Sequence, residues 1–220
     1  MSTRVQLIEE YAQSLMIGEV AHDYKHVDRV RDWALKIAKQ EAYPNLEQVE
    51  AAALLHDIGL ASGGRKHHAA VGAQLATNFL QSNHLFEDAE ISEISDAIRN
   101  HNSTGDGNHL LNILRDADTL DLLGAVGLMR GFTSKWDKPD YDPHLIKGST
   151  WGMSADEFTQ RFQRGIGVGD TIVDQINFQI SCYENLRTAS GKMFGQPLVA
   201  FMRTFMDEFE KQIDHGQAEP

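Results

Sequence analysis

The sequence predicts an all-α protein, and three observations on its 220 residues support this fold class. Apolar residues recur at intervals of three and four along most of the chain, as they do in helices that pack one face against a core. No segment alternates apolar and polar residues in the way that a half-buried strand does. Residues that favour helix N-caps, together with glycine and proline, separate the periodic segments. We therefore expect a helical bundle.

The first part of the chain contains six predicted helices, each with an apolar face. They span residues 4–17, about 22–40, 46–56 and 67–82, followed by a helix that ends at His101 and a helix that begins near 109. Asn45 is the expected N-cap of the third helix, with Gln48 as its reciprocal partner. His26, His56 and His101 each continue the apolar stripe of their own helix, so we expect their side chains to point inward.

The second part begins with a predicted long loop over residues 131–153, because prolines and glycines interrupt the periodicity there. A loop of this length in a compact domain is usually functional or mobile. Ser154 and Glu157 match a capping box that restarts a helix. Asp170 is the expected N-cap of a helix to about residue 188, and a last amphipathic helix is predicted over about 196–213.

The length of the chain favours one domain over residues 1–220. We expect its core at about residues 20–130, with the helices of residues 154–215 packing on that core. The longest strictly apolar run is Ala51 to Leu55, which is too short to span a membrane.

Composition excludes some function classes. The formal net charge of −12 argues against nucleic acid as a partner, because phosphate backbones bind to basic surfaces. A single cysteine, Cys182, excludes an internal disulfide framework and a cysteine-built metal site. The N-terminal residues show no signal-peptide pattern, so we expect a cytoplasmic protein without a membrane partner. The oligomeric state stays open, with a homodimer as one possibility.

Four residues are candidate ligands of a metal ion. His56 and Asp57 are adjacent at the end of an apolar helix, where burying an imidazole and a carboxylate is costly unless a cation satisfies them. His26 lies on the apolar side of the second helix, and Asp118 shares a helix face with Leu111 and Leu114. We prefer Asp118 to its neighbours Asp116 and Asp121, which could instead orient a ligand histidine.

The predicted ligand set is therefore His26, His56, Asp57 and Asp118, around one divalent ion. Mixed imidazole and carboxylate ligands suit Mn, Fe, Co, Ni or Mg better than a thiolate-seeking ion. Such a site leaves open positions for water and for a phosphate oxygen, and Asp57 would then belong to the catalytic centre.

Other residues are candidates for contacts with substrate. Arg65 and Lys66 follow the His56–Asp57 turn and could bind phosphate, although a solvated charged loop is an equal alternative. His101 could contact substrate phosphate, bind a second metal or be an ordinary core histidine. We expect that His68 is not a metal ligand, because the connection from Asp57 is too short to bring it across the site.

These residues resemble the signature of the HD superfamily of metal-dependent phosphohydrolases, in which a histidine, a His-Asp pair and a later aspartate occur in this order. The segments around His26, His56–Asp57 and Asp116–Gly127 resemble the small stand-alone bacterial YedJ/YpgQ-like branch, as does Thr188–Lys192. Thr119 departs from the arginine usual in that branch, so one phosphate contact is missing or supplied elsewhere. The resemblance implies an all-α HD-domain bundle around a buried metal site.

We therefore expect a metal-dependent hydrolase of phosphate ester or anhydride bonds, acting on a small phosphorylated molecule. A nucleotide is the favoured substrate, as for a nucleoside triphosphate pyrophosphohydrolase or a nucleotidase, but one fold hosts many functions. A di-iron oxygenase of HD type, completed by His68 and His101, is one alternative. A non-catalytic module that binds nucleotides through a retained metal site is another.

Overall fold

The computed structural model describes residues 2–16 and 23–214, and among them it contains ten α-helices, one short 3₁₀ helix and no strand. The predicted all-α fold is confirmed. In chain order the helices are α1 (Thr3–Leu15), α2 (Tyr24–Gln40), α3 (Leu46–Leu55), α4 (Leu60–Ser82), α5 (Asp88–Asn100), α6 (His109–Asp121), α7 (Gly124–Ser134), α8 (Ala155–Gln163), α9 (Ile172–Ser181), the 3₁₀ helix (Cys182–Asn185) and α10 (Ala189–Asp214). No helix within this described part combines the length and apolar character needed to cross a membrane.

The chain divides into two compact units. The first comprises Met1–Asp118 and Arg187–Gly191, and the second comprises Thr119–Leu186 and Lys192–Pro220. This division falls inside the predicted core of residues 20–130, and the single domain over 1–220 stays a prediction. The predicted helix ends at residues 17 and 22, and the end at 215, lie outside the described residues.

The first unit is built around α3, which packs against α1, α2 and α5. Gln48, Val49 and every residue from Ala51 to Leu55 are buried, so this helix is covered on nearly all sides. A helix surrounded by apolar neighbours belongs to the centre of a core. Because α3 ends at Leu55, His56 and Asp57 follow inside the core, where both are buried.

The start of α4 differs from the sequence prediction. The helix begins at Leu60 and not at residue 67, and it bends at Gly64, whose φ of 57° and ψ of 175° are not helical. Glycine adopts this conformation without the steric cost that a side chain adds. After the bend the helix returns past the turn that follows Asp57: a Cβ on Gly59 would lie 2.1 Å from the carbonyl oxygen of His68 and 2.5 Å from the amide nitrogen of Gly72.

The second unit has a buried carboxylate as its main polar contact. Asp174 of α9 is 1% exposed and accepts hydrogen bonds from two loops that precede it in the sequence. The donors are the Ser149 hydroxyl, the Thr150 amide and hydroxyl, the Asp170 amide, and the Thr171 amide and hydroxyl. Burial alone would raise the pKa of Asp174, but these hydrogen bonds outweigh it and lower that pKa.

Four helix boundaries in the second part of the chain differ from the sequence prediction, and one of them is the end of α9, which lies at Ser181 and not near residue 188. Residues 131–134 belong to α7, so the loop predicted over 131–153 starts later. The N-cap of α9 is Thr171 and not Asp170, because Thr171 and Asp174 exchange backbone and side-chain hydrogen bonds. The last helix starts at Ala189 and not near 196; the Thr188 hydroxyl accepts a hydrogen bond from the Gly191 amide, which caps the earlier start.

We expect Gly59→Ala to destabilise the first unit, because the added methyl would overlap the backbone of α4 and no flexible side chain can move aside. Overpacking of this kind costs roughly 1–3 kcal/mol or more. Urea unfolding of the two proteins would measure the difference. Gly105→Ala is the matched control, since a Cβ there meets nothing within 4 Å; equal stability of all three proteins would contradict the close crossing.

We expect Asp174→Ala to lower the free energy of unfolding by about 3 kcal/mol or more, since it leaves several buried donors without an acceptor. Because the folded-state pKa is lowered, the contribution of Asp174 is present above the unfolded-state pKa and is lost as the pH falls through the folded-state pKa. Denaturation series between neutral and acid pH should therefore converge for wild type and variant. The exposed neighbour Asp170, changed to Ala, should stay close to wild type.

Candidate metal centre

Six side chains of the first unit converge near the end of α3. His26 lies in the first turn of α2, whose N-cap Asp23 accepts a hydrogen bond from the His26 amide. His56 and His101 directly follow the last residues of α3 and α5, and Asp57 lies in the next turn. His68 comes from α4 after the bend, and Asp118 comes from α6.

Asp57 is the centre of this group. Its carboxylate is 3% exposed, and each of its oxygens faces two histidines. Oδ2 lies 3.6 Å from Nε2 of His26 and 3.5 Å from Nε2 of His56. Oδ1 lies 3.5 Å from Nε2 of His68 and 3.7 Å from Nε2 of His101. The carboxylate thus separates two pairs of imidazole nitrogens.

Three of the histidines have the same backbone contact, which fixes their tautomer. Nδ1 of His56 lies 2.8 Å from the Ala53 carbonyl oxygen, Nδ1 of His68 lies 2.8 Å from that of Arg65, and Nδ1 of His101 lies 2.7 Å from that of Ile98. A carbonyl oxygen can only accept a hydrogen bond, so each Nδ1 carries the proton. In the neutral ring, Nε2 then presents a lone pair toward Asp57.

The Nε2 atoms face one another in each pair. They are 3.2 Å apart in His68 and His101, and 3.3 Å apart in His26 and His56. Burial, with a contribution from the nearby His56, lowers the pKa of His101 to about 4, so its ring is neutral at neutral pH. At His68 and His101, two lone pairs and a carboxylate oxygen converge in this way, and a cation between them would satisfy all three.

The donor set therefore fits divalent metal ions. Among the described residues, two groups have ligand atoms that all lie within 4.8 Å of one another: His26, His56 and Asp57, and Asp57, His68 and His101. Asp57 belongs to both groups, with one oxygen directed at each. Imidazole nitrogen and carboxylate oxygen are the ligands that first-row divalent metals accept together.

Asp118 adjoins the first of these groups. Its Oδ1 lies 3.4 Å from Nε2 of His26, and its side chain is 32% exposed. The two competing aspartates make other contacts: Asp116 accepts hydrogen bonds from the Arg187 and Thr188 amides, and Asp121 accepts one from Arg130 at 2.7 Å. The geometry favours Asp118 over both, and its role as a ligand stays a prediction.

The expectation that His68 cannot reach the site was wrong. Its premise was a short connection and a helix start near residue 67, but α4 begins at Leu60 and turns back at Gly64. The absent side chain of Gly59 lets the backbone of His68 pack against the turn that carries Asp57. His68 is 12% exposed and lies beside His101. The pair of glycines at 59 and 64 was the available signal in the sequence.

The other residues that the sequence suggested for substrate contacts differ in burial. His101 is buried and belongs to the second group of ligand atoms. Arg65 and Lys66 are exposed and lie in the turn before His68, where the Arg65 carbonyl holds that histidine. Their contact with phosphate stays a prediction.

The six side chains lie in a region of the chain that matches a known protein family. The HD domain family model matches residues 23–123, which include all six side chains. A comparison with curated proteins gave no significant match.

Several solved structures are similar over nearly the whole chain. Bacillus subtilis YpgQ in complex with ADP has a TM-score of 0.66 and 20% identity, covering 96% of this chain and 96% of that chain. An HD-superfamily hydrolase from Bacillus thuringiensis has a TM-score of 0.68 and 21% identity, covering 96% and 97%. A predicted HD-superfamily hydrolase from an uncultured Thermotogales bacterium has a TM-score of 0.63 and 24% identity, covering 94% and 90%.

At these identities the solved structures show a shared fold. The family model matches the region of the sequence that contains His56, Asp57 and the side chains around them. The chain therefore contains a region, residues 23–123, that matches the HD domain family.

Proposed function

We propose that the chain is a metal-dependent phosphohydrolase whose centre holds two divalent ions on either side of Asp57. His26, His56 and Asp118 would hold one ion together with Oδ2 of Asp57, and His68 and His101 would hold the other together with Oδ1. The observation that carries the proposal is the single buried carboxylate between two facing pairs of Nε2 atoms. The sequence alone suggested one ion, because it placed His68 out of reach.

The donor atoms of the ligands limit which metal ions the site would favour. Nitrogen and oxygen donors without any thiolate favour Mn, Fe, Co, Ni or Mg. Bound divalent ions of this kind supply Lewis-acid polarisation of a phosphoryl oxygen and activation of water near neutral pH.

Contacts within the protein orient the histidine ligands, and one side of the centre is open to solvent. The Nδ1 contacts to backbone carbonyls hold the rings of His56, His68 and His101, so their Nε2 atoms are aligned before any ligand arrives. His56 is fully buried, whereas His68 and Asp118 are partly exposed. A substrate would therefore approach from the side of His68 and Asp118.

Arg65 and Lys66 lie next to this exposed side, one turn before His68. Two cations there would bind the phosphate oxygens of a substrate and stabilise the charge that develops in the transition state. Hydrolysis adds the elements of water across a P–O bond, which fits a phosphate ester or anhydride equally well.

A nucleotide is our proposed substrate class. The similar structure of Bacillus subtilis YpgQ contains ADP, and the chain shares the fold of that protein. A nucleoside triphosphate pyrophosphohydrolase or a nucleotidase would both act on such a molecule. The protein would act in the cytoplasm on small molecules, since the net charge of −12 disfavours nucleic acid.

The di-iron oxygenase remains the second candidate, because the geometry brings His68 and His101 to the centre that this alternative requires. Metal analysis separates the two functions. Two irons per chain with visible absorbance, and no phosphate release from any compound, would favour the oxygenase.

To test the proposal, chelator-stripped protein would be assayed against a panel of nucleotides and other phosphate compounds, with Mn, Co, Ni and Mg restored separately. We expect one or more metals to restore phosphate or pyrophosphate release. Asp57→Ala should abolish binding at both positions, since both groups share this carboxylate. The exposed Asp96 of α5, changed to Ala, is the control. Full metal content in Asp57→Ala would refute the site.

Replacing both Arg65 and Lys66 by Ala should raise the KM for an anionic substrate about tenfold or more and leave the metal content unchanged. A fall in kcat as well would indicate transition-state contacts. The double replacement of exposed Lys39 and Arg99 by Ala removes the same charge elsewhere on the unit. Identical kinetics of the two double variants would show that Arg65 and Lys66 belong to a solvated charged loop and do not bind the substrate.

A further inference from the structure

Arg115 of α6 is buried, with 7% of the residue exposed, and it makes four hydrogen bonds to the last residue of α5 and the segment that follows. Nε and Nη2 donate to the Asn100 carbonyl at 3.3 and 3.1 Å. Nη2 also donates to the Ser103 hydroxyl at 2.6 Å, and Nη1 donates to the Gly105 carbonyl at 2.7 Å. These acceptors lie on both sides of His101 in the chain.

The contacts complete the C-terminal end of α5. The last carbonyls of a helix have no partner within the helix, and a cation there is also favoured by the helix dipole. The Ile98 carbonyl accepts from Nδ1 of His101, and the Asn100 carbonyl accepts from Arg115 and from the Ser103 amide at 2.9 Å. The ring of His101 is therefore attached to a turn that the guanidinium holds in place.

A buried guanidinium is costly without a carboxylate partner. Within the described residues Arg115 forms no ion pair, and its donors all bind the segment 100–105. Arg115 also precedes Asp118 by three residues on α6, so one side chain links the helix of Asp118 to the turn of His101. Burial of the Arg115 guanidinium therefore indicates that the position of the turn carrying His101 is important.

We infer that Arg115 is a positioning residue for His101 and thereby determines the affinity of the metal position formed by Asp57, His68 and His101. The inference rests on the proposed two-metal centre and adds a residue that does not touch it. Arg115 acts by holding Nε2 of His101 at 3.2 Å from Nε2 of His68 and at 3.7 Å from the Asp57 carboxylate.

The first measurement uses metal-free protein, so that it does not depend on the proposed activity. Hydrogen exchange would be followed at the amides of His101 and Ser103 in wild type, Arg115→Met and Arg115→Lys. We expect exchange at these amides to be about tenfold faster or more in Arg115→Met, while amides of α3 keep their protection. Lysine keeps the charge but cannot reach all three acceptors at once, so Arg115→Lys should be intermediate.

Arg99→Met is the matched control, because Arg99 is an exposed arginine in the last turn of the same helix. It should exchange like wild type. If Arg115→Met does not fold, Ser103→Ala decides the matter, since it removes only the contact at 2.6 Å. Unchanged exchange at His101 and Ser103 in the folded variants would overturn the inference.

The second measurement is a titration of metal-free protein with Mn²⁺ and with Co²⁺. We expect Arg115→Met to weaken one of two binding events 10- to 100-fold, the usual effect of losing a group that orients a ligand, and to leave the other within about twofold. Equal weakening of both events would show a general structural role and overturn the inference. A wild type that binds a single ion would refute the two-metal proposal, and the exchange data would then still test whether Arg115 positions His101.

Discussion

The carboxylate of Asp57 is the group on which the first unit depends. A buried negative charge is unfavourable in a core, and imidazole lone pairs directed at it would not relieve that cost. Two helices nevertheless end directly before histidines that face this carboxylate. Helix α3 ends at Leu55, before His56, and α5 ends at Asn100, before His101. The core therefore supplies the apolar surroundings, and a cation bound by the convergent ligands would offset the cost of burying Asp57.

Much of this centre could be predicted from helical periodicity. His26, His56 and His101 each extend an apolar stripe, and the structure buries all three. Asp118 was preferred for the same reason, and its 3.4 Å approach to His26 agrees with that choice. Periodicity works here because the side chains in question project from regular helices, whose faces are set by local sequence.

The position of His68 could not be predicted in this way, because it depends on backbone geometry between helices. The left-handed φ of Gly64 and the close crossing at Gly59 decide where α4 runs, and neither has a periodic signature. The starts of α9 and α10 were missed for a related reason. Each depends on which of several neighbouring polar residues caps the helix, and only the three-dimensional contacts of Asp174 and Thr188 select one.

The charge of the metal centre determines whether metal or substrate binds first. Without metal, the carboxylates of Asp57 and Asp118 would place two negative charges at the centre of an already acidic chain, which disfavours phosphate binding at that point. Two divalent cations would exceed those two carboxylates and reverse the local potential. Metal loading would then come before substrate association, and it would govern the rate of encounter as well as the chemistry. Added salt should slow that encounter in the loaded protein, because the attraction between unlike charges is screened.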